Sequence, residues 1–211
     1  MVTPELHQGF YVRLQEHILG RLLGHEYDGD ERLFTEAEQN QVYFRPQRIY
    51  WHQALRVNFT TYDVHRSQDS LNTRTDHCDI MVHAQEDPSS RDYHPYWYAR
   101  IIKIFHVYLS RAEPNGTLGS PKLMEVLWVR WFGKDPTYRA GAEARCLDRV
   151  GFVTDDDDTE PFGFLDPTYV VCGCHLIPAF AHGQTKELLG PSIARGDATE
   201  NEDWKYYYID R

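Results

Sequence analysis

The chain has no run approaching the ~18 consecutive apolar residues of a membrane-spanning helix. Its first residues, MVTPELHQGF, carry neither the basic start nor the long apolar centre of a secretory signal. An intracellular protein without a membrane span is therefore expected. Only four cysteines, Cys78, Cys146, Cys172 and Cys174, occur in 211 residues, too few for a disulfide scaffold, so free thiols in a reducing compartment are expected. The Asn58-Phe-Thr60 and Asn115-Gly-Thr117 sequons lack a secretory context and carry no weight. Basic charge is short as well: 22 Lys and Arg stand against 32 Asp and Glu, a net charge of −10. That balance repels bare phosphate, and the basic residues are not clustered in sequence, which disfavours unaided, non-specific nucleic-acid binding. No phosphate loop, internal repeat or metal quartet stands out. Ser67, Ser70 and the 11 histidines supply ingredients for a catalytic triad but no spacing that assembles one.

What the chain does have is apolar and aromatic strand material. Apolar and aromatic residues make up 41%, enough for one core with an appendage. Three segments dominate: residues 96–105 (YWYARIIKIF), 124–132 (MEVLWVRWF) and 170–180 (VVCGCHLIPAF). Strands this rich in large apolar groups are stable only when packed on one another, so a barrel-like β core is expected. In 124–132, Val126, Trp128 and Arg130 fall on one face and Leu127, Val129 and Trp131 on the other. Bulky groups on both faces mark a central strand, paired antiparallel with 98–108 across the loop at 111–121.

Around this core, Thr3-Pro4-Glu5 opens a helix, and Leu6, Phe10, Leu14, Ile18 and Leu22 recur every four residues, with Gly24 as a left-handed stop. Asp28-Gly-Asp30 breaks that pattern. Residues 34–40 then predict a short helix with a capping box between Thr35 and Glu38. Leu55, Val57 and Phe59 alternate with polar residues as on a half-buried strand, and 79–84 and 146–153 read as further strands. Gly173 marks a bulge between 169–171 and 175–177. Asp155 to Asp158, with Glu160, read as an open, solvated acidic loop. Asp63, Arg66, Gln68 and Asp69 read as a polar turn or recognition loop after the 55–62 strand. Beyond Pro178 the chain contains Gly183, Gly190, Pro191 and Gly196 with few periodic apolar residues, so 183–211 reads as an irregular tail that wraps the core or awaits a partner.

In their order, Trp97 to Phe105, Arg130-Trp131-Phe132, and Val170-Val171 leading to Leu176-Ile177-Pro178 resemble the bromo-adjacent homology (BAH) domain, a chromatin-associated β module. The resemblance covers roughly residues 49–182. The family's basic and aromatic residues after the Trp-Phe pair are replaced here by Gly133-Lys134-Asp135-Pro136. A second resemblance, through Ile49-Tyr50, residues 55–63, Gln68-Asp69-Ser70, and residues 97–100, 128–133 and 176–181, is to the C-terminal part of proteins encoded by fungal DNA transposons of the Plavaka and KDZ kind. Some BAH domains hold methylated lysine in an aromatic cage. By position on the matched strands, Trp97, Trp131 and Phe152 are the walls this resemblance implies, and Asp155 the anion. Core packing is the competing role for Trp97 and Trp131.

Cys172-x-Cys174-His175 and His77-Cys78-Asp79 offer soft ligands for a composite zinc site, but a strand turns His175 away from the two thiols, and buried thiols are the simpler reading. The acidic run lacks the alternating ligands and turn glycine of a calcium loop. The expectation is thus a mainly β, α+β chain. A helical N-terminal attachment (1–46) precedes a BAH-like antiparallel β-barrel (47–182) and an irregular tail (183–211). The expected role is a non-enzymatic, nuclear module of a transposon-encoded protein that binds chromatin, a histone peptide or another protein, without cofactor, metal or membrane. A metal-dependent nuclease or hydrolase, or a DNA-binding domain, is the alternative.

Overall fold

A computed structural model describes residues 4–25, 33–60, 66–85, 89, 93–112, 117–141, 145–154, 160–189, 194 and 202–210. Helix α1 (Pro4–Leu22) and helix α2 (Glu36–Gln39) come first, then strands β1 (Val42–Phe44), β2 (Tyr50–His52), β3 (Ala54–Thr60), β4 (Arg66–Asn72) and β5 (Asp79–His83). The long pair β6 (Tyr96–Arg111) and β7 (Lys122–Lys134) comes next, then β8 (Arg149–Phe152), β9 (Phe162–Leu165), β10 (Val170–Gly173) and β11 (His175–Pro178). The chain closes with β12 (Gln184–Thr185), β13 (Asp203–Trp204) and β14 (Tyr207–Asp210).

The architecture is mainly β, and every strand pairing is antiparallel. Ten strands form one sheet whose path runs β10-β5-β6-β7-β8-β14-β11, with β1 and β2 added on β6 and β9 on β7. Among the described residues no pairing joins β11 back to β10, so the expected barrel closure is not found. β7 is central, as its two apolar faces require: it pairs with β6, β8 and β9, and Met124 and residues 126–130 are buried.

One bulge lets β6 serve different cores along its length. The register with β7 slips between Ile101 and Lys103, and an extra residue reverses the alternation of side chains beyond it. Before the slip Ala99 and Ile101 face the layer that contains Val57, Leu71 and Leu127; after it Ile104 does. Phe105, Val107 and Leu109 turn to the opposite layer, where Leu14, Ile18 and Leu19 of α1 cover them. A third cluster, at the other end of that face, gathers Tyr98, Phe132, Val150, Phe152, Leu176, Tyr207 and Ile209.

Helix α1 keeps to the four-residue stripe, with Phe10, Leu14, Ile18 and Leu22 all in the first core. It ends at Gly24 (φ +73°) with His25 N–H bonded to Gly20 O and Gly24 N–H to Arg21 O, the bonding of a Schellman stop. The helix is fastened to the sheet as well as packed on it. Arg13 pairs with Glu160 and donates to Phe162 O at 2.7 Å, while Arg21 pairs with Asp166 and donates to Glu125 O at 2.7 Å. With β1 paired on β6, α1 and β1 are thus part of the sheet's own packing. The capping box on α2 is present, Thr35 and Glu38 bonding reciprocally. Thr3, Asp28 and Asp30 lie outside the described residues.

Three local expectations are corrected. The bulge on β10 sits at Val171, between the paired residues Val170 and Cys172. Gly173 instead lies close against β4, where an added Cβ would meet Leu71 Cδ2 at 2.9 Å and oblige that side chain to shift. Arg66, Gln68 and Asp69 lie on strand β4 rather than in a turn, and Asp69 accepts the Gly173 N–H at 2.8 Å, tying the β3–β4 hairpin to β10. Asp63 is outside the described residues. The expected irregular tail contains β14, inserted between β8 and β11 of the main sheet. No described helix is long and apolar enough to cross a membrane.

Candidate functional site

Aromatic rings are where the sequence placed recognition, and strand geometry decides which of them meet. Trp131 and Phe132 are consecutive on β7, so they point to opposite faces. Trp131 opposes Ala99, and Trp97, two residues before Ala99, shares that face. The two indoles meet edge to face, centroids 6.3 Å apart at 77°, both half-buried against the second core. Phe152 opposes Phe132 in register and stacks on it at 4.2 Å. It therefore lies on the other face, 6% exposed, in the third core. The three-walled cage of Trp97, Trp131 and Phe152 is thus divided by the sheet. Asp155 lies outside the described residues.

The Phe152 side of the sheet already holds cations of its own. The Arg130 guanidinium lies 3.7 Å from the Phe152 centroid, and that of Arg100 lies 5.3–5.7 Å from Phe152, Tyr207 and Phe132. Each arginine carries a carboxylate. Arg100 grips Asp79, its opposite residue on β5, through Nε and Nη2 at 2.7 and 2.9 Å, and Arg130 donates through Nη1 and Nη2 to Asp203 Oδ2, both at 3.1 Å. Burial pulls the Arg100 guanidinium down, but the Asp79 pair outweighs it and holds the group above its usual range. A third arginine, Arg149, lies 4.1 Å from the Tyr138 ring and 4.7 Å from that of Tyr206, and bonds Asp135. These arginines were the functional-looking residues that sequence reasoning missed. Their signal was a charge within an apolar aromatic strand, as in Tyr98-Ala-Arg100 and Trp128-Val-Arg130-Trp131, since such charges are buried only when paired.

Asp135 accepts from the Thr137 amide, the Thr137 hydroxyl and Arg149 at 2.7–2.9 Å. Burial pushes its carboxyl up, yet these bonds hold it below the usual carboxylate range. A carboxyl lowered on folding adds stability above its unfolded value of about 4, and that stability is lost as pH falls through the folded value. Urea titrations from about pH 7 to about pH 3 should accordingly show a steeper acid loss in the native protein than in Asp135→Asn, which starts lower and falls less.

Three of the four thiols sit where the thiolate is disfavoured. Burial, reinforced by the Asp79 charge, pushes Cys78 up to about 12 and raises Cys174 also, while burial raises Cys172. Neutral thiols are weak nucleophiles. Among the described residues no three His, Cys, Asp or Glu side chains converge on a point that could hold a metal.

Trp131 is distinguished by its backbone. Its N–H donates to Pro161 O at 2.8 Å and its carbonyl accepts from Val153 N–H at 3.0 Å. The chain therefore leaves and returns at this one residue, with Asp155 to Asp158 and Glu160 between the two anchors in sequence. No protein-family model, curated protein or solved structure matches the chain.

Proposed function

We propose that the chain is a non-enzymatic binding module that docks a protein partner through a cationic side chain laid against Trp97 and Trp131. The carrying observation is the half-buried, edge-to-face pair of indoles itself, with Trp131 held through both its backbone groups by Pro161 and Val153. Indole faces attract an ammonium or guanidinium group, most strongly when it is poorly hydrated. A methylated lysine of a histone tail has that chemistry. Together with the BAH resemblance, this supports a chromatin-docking role, in the nucleus, within a transposon-encoded protein. The finer architecture of that reading is a BAH-like barrel, supported by the long antiparallel β6–β7 pair and by β5, β8 and β10 arranged around it. Phe152 takes no part in this version of the site; its partners are Phe132 and the arginines.

The test is calorimetric titration of the full chain with histone peptides, unmodified and trimethylated at lysine. Binding should favour the methylated peptides, and Trp131→Ala and Trp97→Ala should each weaken it by about tenfold or more while circular dichroism stays native. Absence of binding by any peptide, or binding indifferent to both substitutions, would sink the proposal.

A further inference from the structure

A second constellation lies on a different part of the sheet, where β2 runs beside β6. Tyr50 opposes His106 and His52 opposes Ile104, so His52 and His106 are diagonal neighbours on one face. Their rings approach at 25° with centroids 4.9 Å apart, and His52 Nε2 lies 2.7 Å from His106 Nδ1. His106 is held in place from its other neighbours too: Tyr50 stacks on it at 4.8 Å and 4°, and Tyr108 meets it edge-on at 5.3 Å. The result is a fixed imidazole with a second, solvent-exposed imidazole converging on the same nitrogen.

We infer that His52 and His106 form a two-histidine chelate for a divalent late transition-metal ion of the zinc or nickel class on the β2–β6 pair, on the face that carries Ile104. Neutral imidazole nitrogens are the preferred ligands of such ions. Two of them on a tetrahedral ion, at about 2.0–2.1 Å each, sit about 3.4 Å apart. The observed pair is slightly closer than that, so a small rotation of exposed His52 admits the ion in place of the shared proton. Glu125 lies opposite His106 on β7, with Arg21 of α1 beside it, so the protein supplies the two imidazoles and water fills the remaining positions. This site is independent of the Trp97–Trp131 pair.

The test uses the untagged full chain titrated with zinc chloride and with nickel chloride, monitored by calorimetry and by amide NMR shifts. One ion should bind per chain, with the largest shifts at residues 50–52 and 104–108. His52→Ala and His106→Ala should each weaken binding at least about tenfold, as loss of a metal-supporting group does. Zinc should raise the melting temperature of the native chain and leave that of the double variant unchanged. His83→Ala, on the exposed end of β5, should bind like the native chain. No binding of either ion, undiminished binding in both His52→Ala and His106→Ala, or an equal loss in His83→Ala would overturn the assignment. Since both side chains are reachable by solvent, native circular dichroism in the variants separates lost ligation from lost fold.

Discussion

Arg100→Leu is expected to destabilise the protein by about 3–5 kcal/mol, the range for removing one partner of a buried ion pair. Leucine keeps an apolar stem against Phe132, Phe152 and Tyr207, so the loss falls mainly on the carboxylate left behind. Asp79 is only 4% exposed on its side chain, whereas Arg100 is 29% exposed. That difference sets an order. Asp79→Leu leaves a guanidinium that still reaches water and still rests on three rings, so it should cost less than Arg100→Leu. The double variant Asp79→Leu/Arg100→Leu should recover most of the stability, because apolar residues of similar volume replace such pairs at little cost. Lowering the pH should narrow the deficit of Arg100→Leu, since burial pushes the Asp79 carboxyl up and, once its cation is gone, only the neutral acid is tolerated there. Urea denaturation of the four proteins closes the cycle. Strictly additive losses would mean that the two groups do not interact, and equal losses in the single variants would mean that exposure does not rank them.

The elements that could be read from the sequence are those whose signal is local. Leu55, Val57 and Phe59 alternate with polar residues, and β3 shows that same alternation of exposure. The four-residue stripe on α1, the capping box at Thr35 and Glu38, and the β6–β7 pairing were local in the same sense. What could not be read depends on register between strands distant in sequence. Whether Phe152 joins Trp131 or Phe132 is settled only by which residue of β7 it opposes, and a shift of one place moves it across the sheet. The Trp97–Trp131 contact survived because both lie on the strongly specified β6–β7 pair; the third wall did not because β8 is four residues long and reached through a loop. The extra residue at Ile102 left no mark in composition either. Lys103 in an apolar strand is its one trace, an exposed charge where strict alternation would have placed a buried side chain.

The C-terminus carries the other large expected effect. Gly183, Gly190, Pro191 and Gly196 interrupt any strand signal ahead of the C-terminus, yet Tyr207 and Ile209 are 4% and 2% exposed, the period-two signature of a strand. β14 pairs Tyr207 with Val150 and Leu176 with Ile209, so it joins β8 to β11. Gly151 records how closely this segment lies, for a Cβ there would meet Lys205 O at 2.8 Å. Ile209→Ala alone should cost about 2–5 kcal/mol, the range for emptying a fully buried site. A chain ending at Tyr206 loses both buried side chains and the hydrogen bonds of two strand pairings, and exposes Phe132 and Phe152. Against a typical total of about 5–15 kcal/mol, that loss should abolish the cooperative urea transition. Tyr207→Phe, which keeps the ring on Phe132 and Phe152, should retain it. If the shortened chain still unfolds cooperatively near the native midpoint, β14 is an accessory to a core complete without it. If it does not, the last residues supply the strand that holds β8 and β11 in one sheet, and the role of Asp203 as the buried counterion of Arg130 depends on the same docking.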